Sequence, residues 1–214
     1  PDQFPPNAKG VFRFLKIIIE ATQDLATAYK PNLAFFESLG SDGPVLLEKI
    51  LSLVPAEVAV ILDAKRGDIG SSSAQYARAL FEQWEADAVT VNPYMGVDSL
   101  EPFLSYQGRG VFILGLTSNA GRSDVQLLPL ADGRMVFESV MAQFRQLQSA
   151  ATRGWVIGAT LGALSERALQ AAGADPVLIP GIGAQGGDLA QVFAASQNKR
   201  AAHVIINASR SILY

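Results

Sequence analysis

The stretch Val58-Ala59-Val60-Ile61-Leu62-Asp63-Ala64-Lys65-Arg66-Gly67-Asp68-Ile69-Gly70 decides the fold. Its first five residues are apolar without alternation, as in a parallel strand covered on both faces. Val204-Ile205-Ile206 has the same character. Outward from this stretch, short β-branched or apolar runs alternate with longer helical patterns. The candidate strands are Ala28–Phe35, Val58–Ala64, Ala88–Asn92, Val111–Leu116, Trp155–Thr160, Val177–Pro180 and Val204–Ala208. Helical patterns lie near 10–27, 41–53, 71–85, 98–106, 134–152, 164–172 and 186–197. Such alternation predicts βα units around a parallel sheet.

The count narrows the architecture. Seven strands are expected, with a helical stretch before the first and the last residue just after the seventh. A (β/α)8 barrel has eight strands and about 250 residues. The pattern therefore predicts an α/β protein with a (β/α)8 TIM barrel lacking its first strand and last helix. No linker interrupts it, so residues 1–214 are read as one domain, trimmed at both ends. An open doubly wound sheet accounts for the same alternation.

Composition excludes several functions. Lys and Arg total 17 against 20 Asp and Glu, so the basic excess of a nucleic-acid-binding domain is missing. Hydrophobic residues make up 49% and charged residues 17%, which rules out intrinsic disorder. The low charge suggests that another subunit covers part of the surface. With no Cys there is no disulfide, thiolate nucleophile or Cys-ligated metal. A single His, His203, leaves no His-based zinc site, and its place before a strand suggests a structural role. Apolar runs fall short of the roughly 20 residues of a membrane span. Pro1-Asp2-Gln3-Phe4-Pro5-Pro6 lacks the form of a signal peptide. A cytoplasmic protein is expected.

In both candidate folds, sites form at the carboxyl ends of strands. Strand alternation puts Asp63 and Lys65 on one face, with Asp68 further along the loop. Charges on a strand end are costly to bury unless they neutralise one another. Lys30, within an apolar run, is read either as a snorkelling edge Lys or as a second cation beside Asp63. An alternating Lys–Asp–Lys–Asp row would keep each charge ionised. Pro180-Gly181-Ile182-Gly183-Ala184-Gln185-Gly186-Gly187 follows a strand and leads into a helix, a setting that suits an anion. Asn207-Ala208-Ser209-Arg210-Ser211 lies where such barrels bind phosphate, and Arg offers a planar fork of donors. Thr117-Ser118-Asn119 is read as a substrate contact or a helix cap. Asn92-Pro93-Tyr94-Met95-Gly96 is read as a pocket wall, and Gly158-Ala159-Thr160 as room for a ligand. Trp84 and Trp155 are read as core.

Together these segments, with Tyr29-Lys30-Pro31-Asn32, resemble the orotidine 5′-phosphate decarboxylase family, in its longer-chain bacterial subgroup. They occur in family order over nearly the whole chain. The resemblance implies a (β/α)8 barrel acting as a homodimer, with sites at the subunit interface. It implies loss of CO2 from orotidine 5′-monophosphate to give UMP, without metal or organic cofactor. Lys65 would protonate C6 as CO2 leaves. Asp63 would lie beside the substrate carboxylate, acting through ground-state repulsion or through stabilisation of the carbanion-like transition state by the charged row. Lys30 would complete the row and touch the ribose. Asp68 and Ser72 would reach the neighbouring subunit's site. Ser118 would bind the pyrimidine, and Pro180, Gln185, Ser209 and Arg210 would surround the phosphate. The Gln185 loop would close over the substrate.

The chain departs from the family in three places, one of them the missing final helix. Nothing here supplies the first-strand Gly-Leu-Asp-Pro, whose Asp binds the ribose, and Leu161-Gly162 replaces a Pro-acid pair. Two other readings compete. One is a Mg2+-dependent sugar-phosphate decarboxylase or aldolase, which also carries Asp-x-Lys-x-x-Asp. The other is a nucleotide-binding barrel without activity.

Overall fold

The computed structural model describes residues 3–159, 162, 164–181 and 203–213. Helix α1 (Ala8–Thr22) is capped by the Asn7 side chain, which accepts the Gly10 N–H at 3.0 Å. The chain continues through β1 (Ala28–Tyr29), α2 (Leu33–Glu37), α3 (Asp42–Leu51), β2 (Ala59–Arg66) and α4 (Gly70–Arg78). A π-helical turn, Ala79–Gln83, extends α4. Then come β3 (Ala88–Val91), α5 (Glu101–Leu104), β4 (Gly110–Leu116), α6 (Val136–Arg145), β5 (Thr152–Ile157), α7 (Leu164–Ala172), β6 (Val177–Pro180) and β7 (Val204–Asn207).

The strands form one sheet in chain order from β1 to β7, and all neighbours are parallel. That order settles the choice between the two folds. A doubly wound sheet reverses its strand order at a switch point; here there is no reversal, so the sheet curls as a barrel does. Side-chain parity confirms the curl. Ala28, Ile61, Ala88, Phe112, Leu114, Val156, Leu178 and Ile205 come from all seven strands and pack into one inner cluster. The alternate residues, including Leu62, Val89, Ile113, Trp155 and Ile179, face outward against the helices. Each full burial of a large apolar side chain contributes roughly 1.5–3 kcal/mol. A strand slipped by one residue would exchange its two faces and lose both sets of contacts.

Several predicted boundaries change. The strand expected over Ala28–Phe35 is a two-residue ladder followed by helix α2. Pro31 has no N–H to donate, and the Asn32 side chain caps α2 by accepting the Ala34 N–H at 3.1 Å. A single bridge, Asn32 to Asp63, continues the alignment beyond the ladder. The helix expected over 134–152 stops at Arg145, and the Ala150 and Ala151 N–H groups turn back to the Leu104 carbonyl. The strand expected from Trp155 starts three residues earlier, at Thr152. The helical pattern over 186–197 lies outside the described residues. Trp155 is fully buried as expected, with its indole N–H donated to Asp175 at 2.9 Å. Among the described residues, no helix is long and apolar enough to cross a membrane.

Candidate active site

The inward parity that makes the inner cluster apolar becomes polar two residues further along. Ala28 gives way to Lys30, Ile61 to Asp63, Ala88 to Thr90, and Ile205 to Asn207. These side chains face a cavity of about 340 Å³ at the carboxyl ends of the strands. Its size suits a small organic ligand. Leu114, Val156 and Leu178, part of the inner cluster, contribute its apolar floor.

Asp63 is the centre of the site. Its Oδ2 accepts from the Lys30 ammonium at 2.6 Å and its Oδ1 from the Lys65 ammonium at 2.5 Å. The Asp63 and Lys30 side chains are 11% and 12% exposed, whereas Lys65 is 47% exposed toward the cavity. Burial pushes the Asp63 carboxyl upward. The Lys30 charge, hydrogen bonds from Lys30 and Lys65, and the Lys65 charge outweigh it and hold the carboxyl below its ordinary value. The carboxylate therefore stays ionised at neutral pH and keeps two ammonium groups together at one end of the cavity. Of the two readings of Lys30, this geometry selects the second cation over the snorkelling edge residue.

Lys65 reaches the cavity by a β-bulge rather than by plain alternation. Between the pairs Leu62–Val89 and Arg66–Val91, β2 has three residues where β3 has only Thr90. Lys65 itself has φ +47°, a left-handed conformation that is uncommon without glycine. Thr90 was not singled out from sequence. Two positions after inward Ala88, it could have been found by the period of the strand alone.

Ser118, Pro180, Ser209 and Arg210 line the same cavity. Ser209 sits 3.2 Å from the Asn207 amide nitrogen. Asp68 and Ser72 do not line it. The Asp68 carboxylate accepts the Ile69 N–H at 2.7 Å, and Ser72 is exposed on α4. Gln185 and the glycine run beyond Gly181 lie outside the described residues. Two weaker expectations change. Tyr94 is exposed and the 92–96 turn does not line the cavity. Gly158 serves the protein rather than a ligand, because a Cβ there would fall 2.7–3.0 Å from Ser118 atoms. The Thr117–Asn119 turn is held by Gln126, which accepts the Thr117 N–H at 2.8 Å.

A parallel barrel with a charged cavity at the carboxyl ends of its strands is an enzyme of the TIM-barrel class. Residues 11–214 match the family model described as orotidine 5′-phosphate decarboxylase / HUMPS family, and the chain belongs to that family. The orotidine 5′-phosphate decarboxylase of Roseiflexus sp. is 48% identical over 216 residues, covering all of this chain and 79% of that protein. The Herpetosiphon aurantiacus enzyme of the same name is 45% identical over 215 residues with the same coverage. Among solved structures, Leishmania donovani OMP decarboxylase superimposes with TM-score 0.88 at 36% identity, covering 97% of this chain and 81% of that one. Leishmania donovani UMP synthase gives 0.89 at 39% identity, over 97% of this chain and 46% of that one.

Proposed function

We propose that this chain forms a single barrel domain that converts orotidine 5′-monophosphate to UMP by loss of CO2, a step of pyrimidine nucleotide synthesis in the cytoplasm. The observation that carries the reading is one ionised carboxylate, Asp63, holding two ammonium groups at the end of a nucleotide-sized cavity. As the C6–carboxylate bond breaks, its electron pair remains on C6. Lys65 donates a proton from Nζ to that carbon and is reprotonated by water. The fixed Lys30 and Lys65 charges stabilise the developing negative charge and need no reorganisation to do so. Arg210 and Ser209 on the β7 side, with Pro180 and Gln185, bind the phosphate, and Ser118 binds the pyrimidine. Phosphate binding energy is then available to the chemical step. No metal or organic cofactor enters this mechanism.

In this reading the enzyme is a homodimer, and Asp68 and Ser72 of each chain complete the neighbouring site. Phe35, Ile69, Tyr76, Tyr94 and Met95 support it, as large apolar side chains exposed on the segments that follow β1, β2 and β3, the segment after β2 being the one that carries Asp68 and Ser72. Exposed large apolar side chains on neighbouring barrel loops suit a surface that a partner covers.

The test is decarboxylation of orotidine 5′-monophosphate followed by ultraviolet absorbance, with EDTA present, for the full-length protein and Lys65→Ala. We expect turnover to survive EDTA and to fall by about 10³-fold or more in the variant. UMP binding without turnover would leave a nucleotide-binding barrel, and sugar-phosphate turnover restored by Mg2+ would move the chain to the rival chemistry.

A further inference from the structure

Thr90 is a buried hydroxyl to which the proposed reaction assigns nothing. It is 2% exposed and lies opposite the bulge in β2. Its Oγ1 accepts the backbone N–H of Lys65 at 3.0 Å and donates to Asp63 Oδ1 at 2.9 Å. The bulge takes Lys65 out of register with β3, and the hydroxyl receives the N–H in place of a ladder carbonyl. Unlike a carbonyl, a hydroxyl also donates. Its proton goes to the same carboxylate oxygen on which the Lys65 ammonium rests. One side chain therefore fixes both the backbone at the root of Lys65 and the anion at its tip. A lysine keeps φ +47° only where its surroundings over-determine it. The ammonium is half exposed in an open cavity, so its direction depends on those two anchors.

We propose that Thr90 is a positioning residue that holds Lys65 on its bulge and, through Asp63, aims the lysine ammonium at the reacting carbon. The inference rests on the decarboxylase reading of the site. A misplacement of about 1 Å at a reacting group can cost about 10²-fold in rate.

The experiment compares Thr90→Val, which keeps the shape, with the pair Thr90→Ser and Thr90→Ala, which differ in the hydroxyl. In folded Thr90→Val and in Thr90→Ala, kcat should fall by about 10²-fold with KM for orotidine 5′-monophosphate little changed. Thr90→Ser should keep most of the wild-type kcat. Near-wild-type kcat in Thr90→Val, or an equal loss in Thr90→Ser and Thr90→Ala, would overturn the proposal. If Thr90→Val fails to fold, the Ser and Ala pair decides. If the wild type itself does not turn over orotidine 5′-monophosphate, the decarboxylase reading falls separately. Crystal structures of the wild type and Thr90→Ala then decide: Lys65 should leave its left-handed conformation or its contact with Asp63, and an unmoved Lys65 refutes the idea.

Discussion

Asp63 holds two ammonium groups at once, and this fixes how the site responds to pH. Its folded carboxyl titrates below its ordinary value. The stabilisation it contributes is therefore complete above the unfolded carboxyl's range, near 3.9, and is lost as pH falls through the lower folded value. Replacing it by Asn leaves Lys30 and Lys65 facing one another without an anion. We expect Asp63→Asn to lower stability by about 3 kcal/mol or more at neutral pH. The gap should stay constant from about pH 8 to 5 and narrow below about pH 4. Thermal melts of both proteins across that range check this, and a gap that persists unchanged to pH 3 contradicts it. Lys30, Asp63 and Lys65 were legible in the sequence because charge on an apolar strand stands out, and the structure brings the three side chains together. Thr90 did not stand out, since a threonine in a strand needs no special explanation.

At the scale of elements, the ends of β4 and β5 form one unit. The Gly158 N–H donates to the Leu116 carbonyl at 2.8 Å, and the missing side chain at Gly158 lets Ser118 lie against it. A methyl group there meets Ser118 backbone nitrogen at 2.8 Å, so the turn must move rather than a flexible tip. Gly158→Ala is expected to cost about 1–3 kcal/mol of stability and, in the proposed reading in which Ser118 binds the pyrimidine, to raise KM more than it lowers kcat. Melting temperature and steady-state kinetics measure both effects. An unchanged KM would remove Ser118 from pyrimidine binding. Strand positions were legible from apolar runs, whereas short helices were not. Helix α2 has five residues and hangs on the Asn32 cap, and a segment that short carries little periodicity.

The whole molecule is a curled parallel sheet, and two residues expected in the neighbouring subunit's site sit outside its own cavity. Asp68 and Ser72 lie away from it. A shared-site dimer makes a quantitative prediction. Lys65→Ala and Asp68→Ala should each be nearly inactive alone. After equal mixing and subunit exchange, half of the dimers are mixed and each mixed dimer has one intact site. About a quarter of wild-type activity should return, by the two-fold symmetry of the dimer. Sedimentation must show that mixed dimers form; if they form without activity, Asp68 acts within its own subunit.

By itself the sequence determined the seven-strand alternation, the apolar faces and the residue types at the strand ends, because these follow from local periodicity and from the rarity of charge in apolar runs. It left the barrel and the doubly wound sheet open, since both have the same local pattern. Tertiary structure decided between them through strand order, which depends on pairings between residues far apart in the chain. It also decided that Lys65 arrives on a bulge, tied to Thr90 across β3. A bulge is a mismatch between two strands, so no single stretch of sequence can display it.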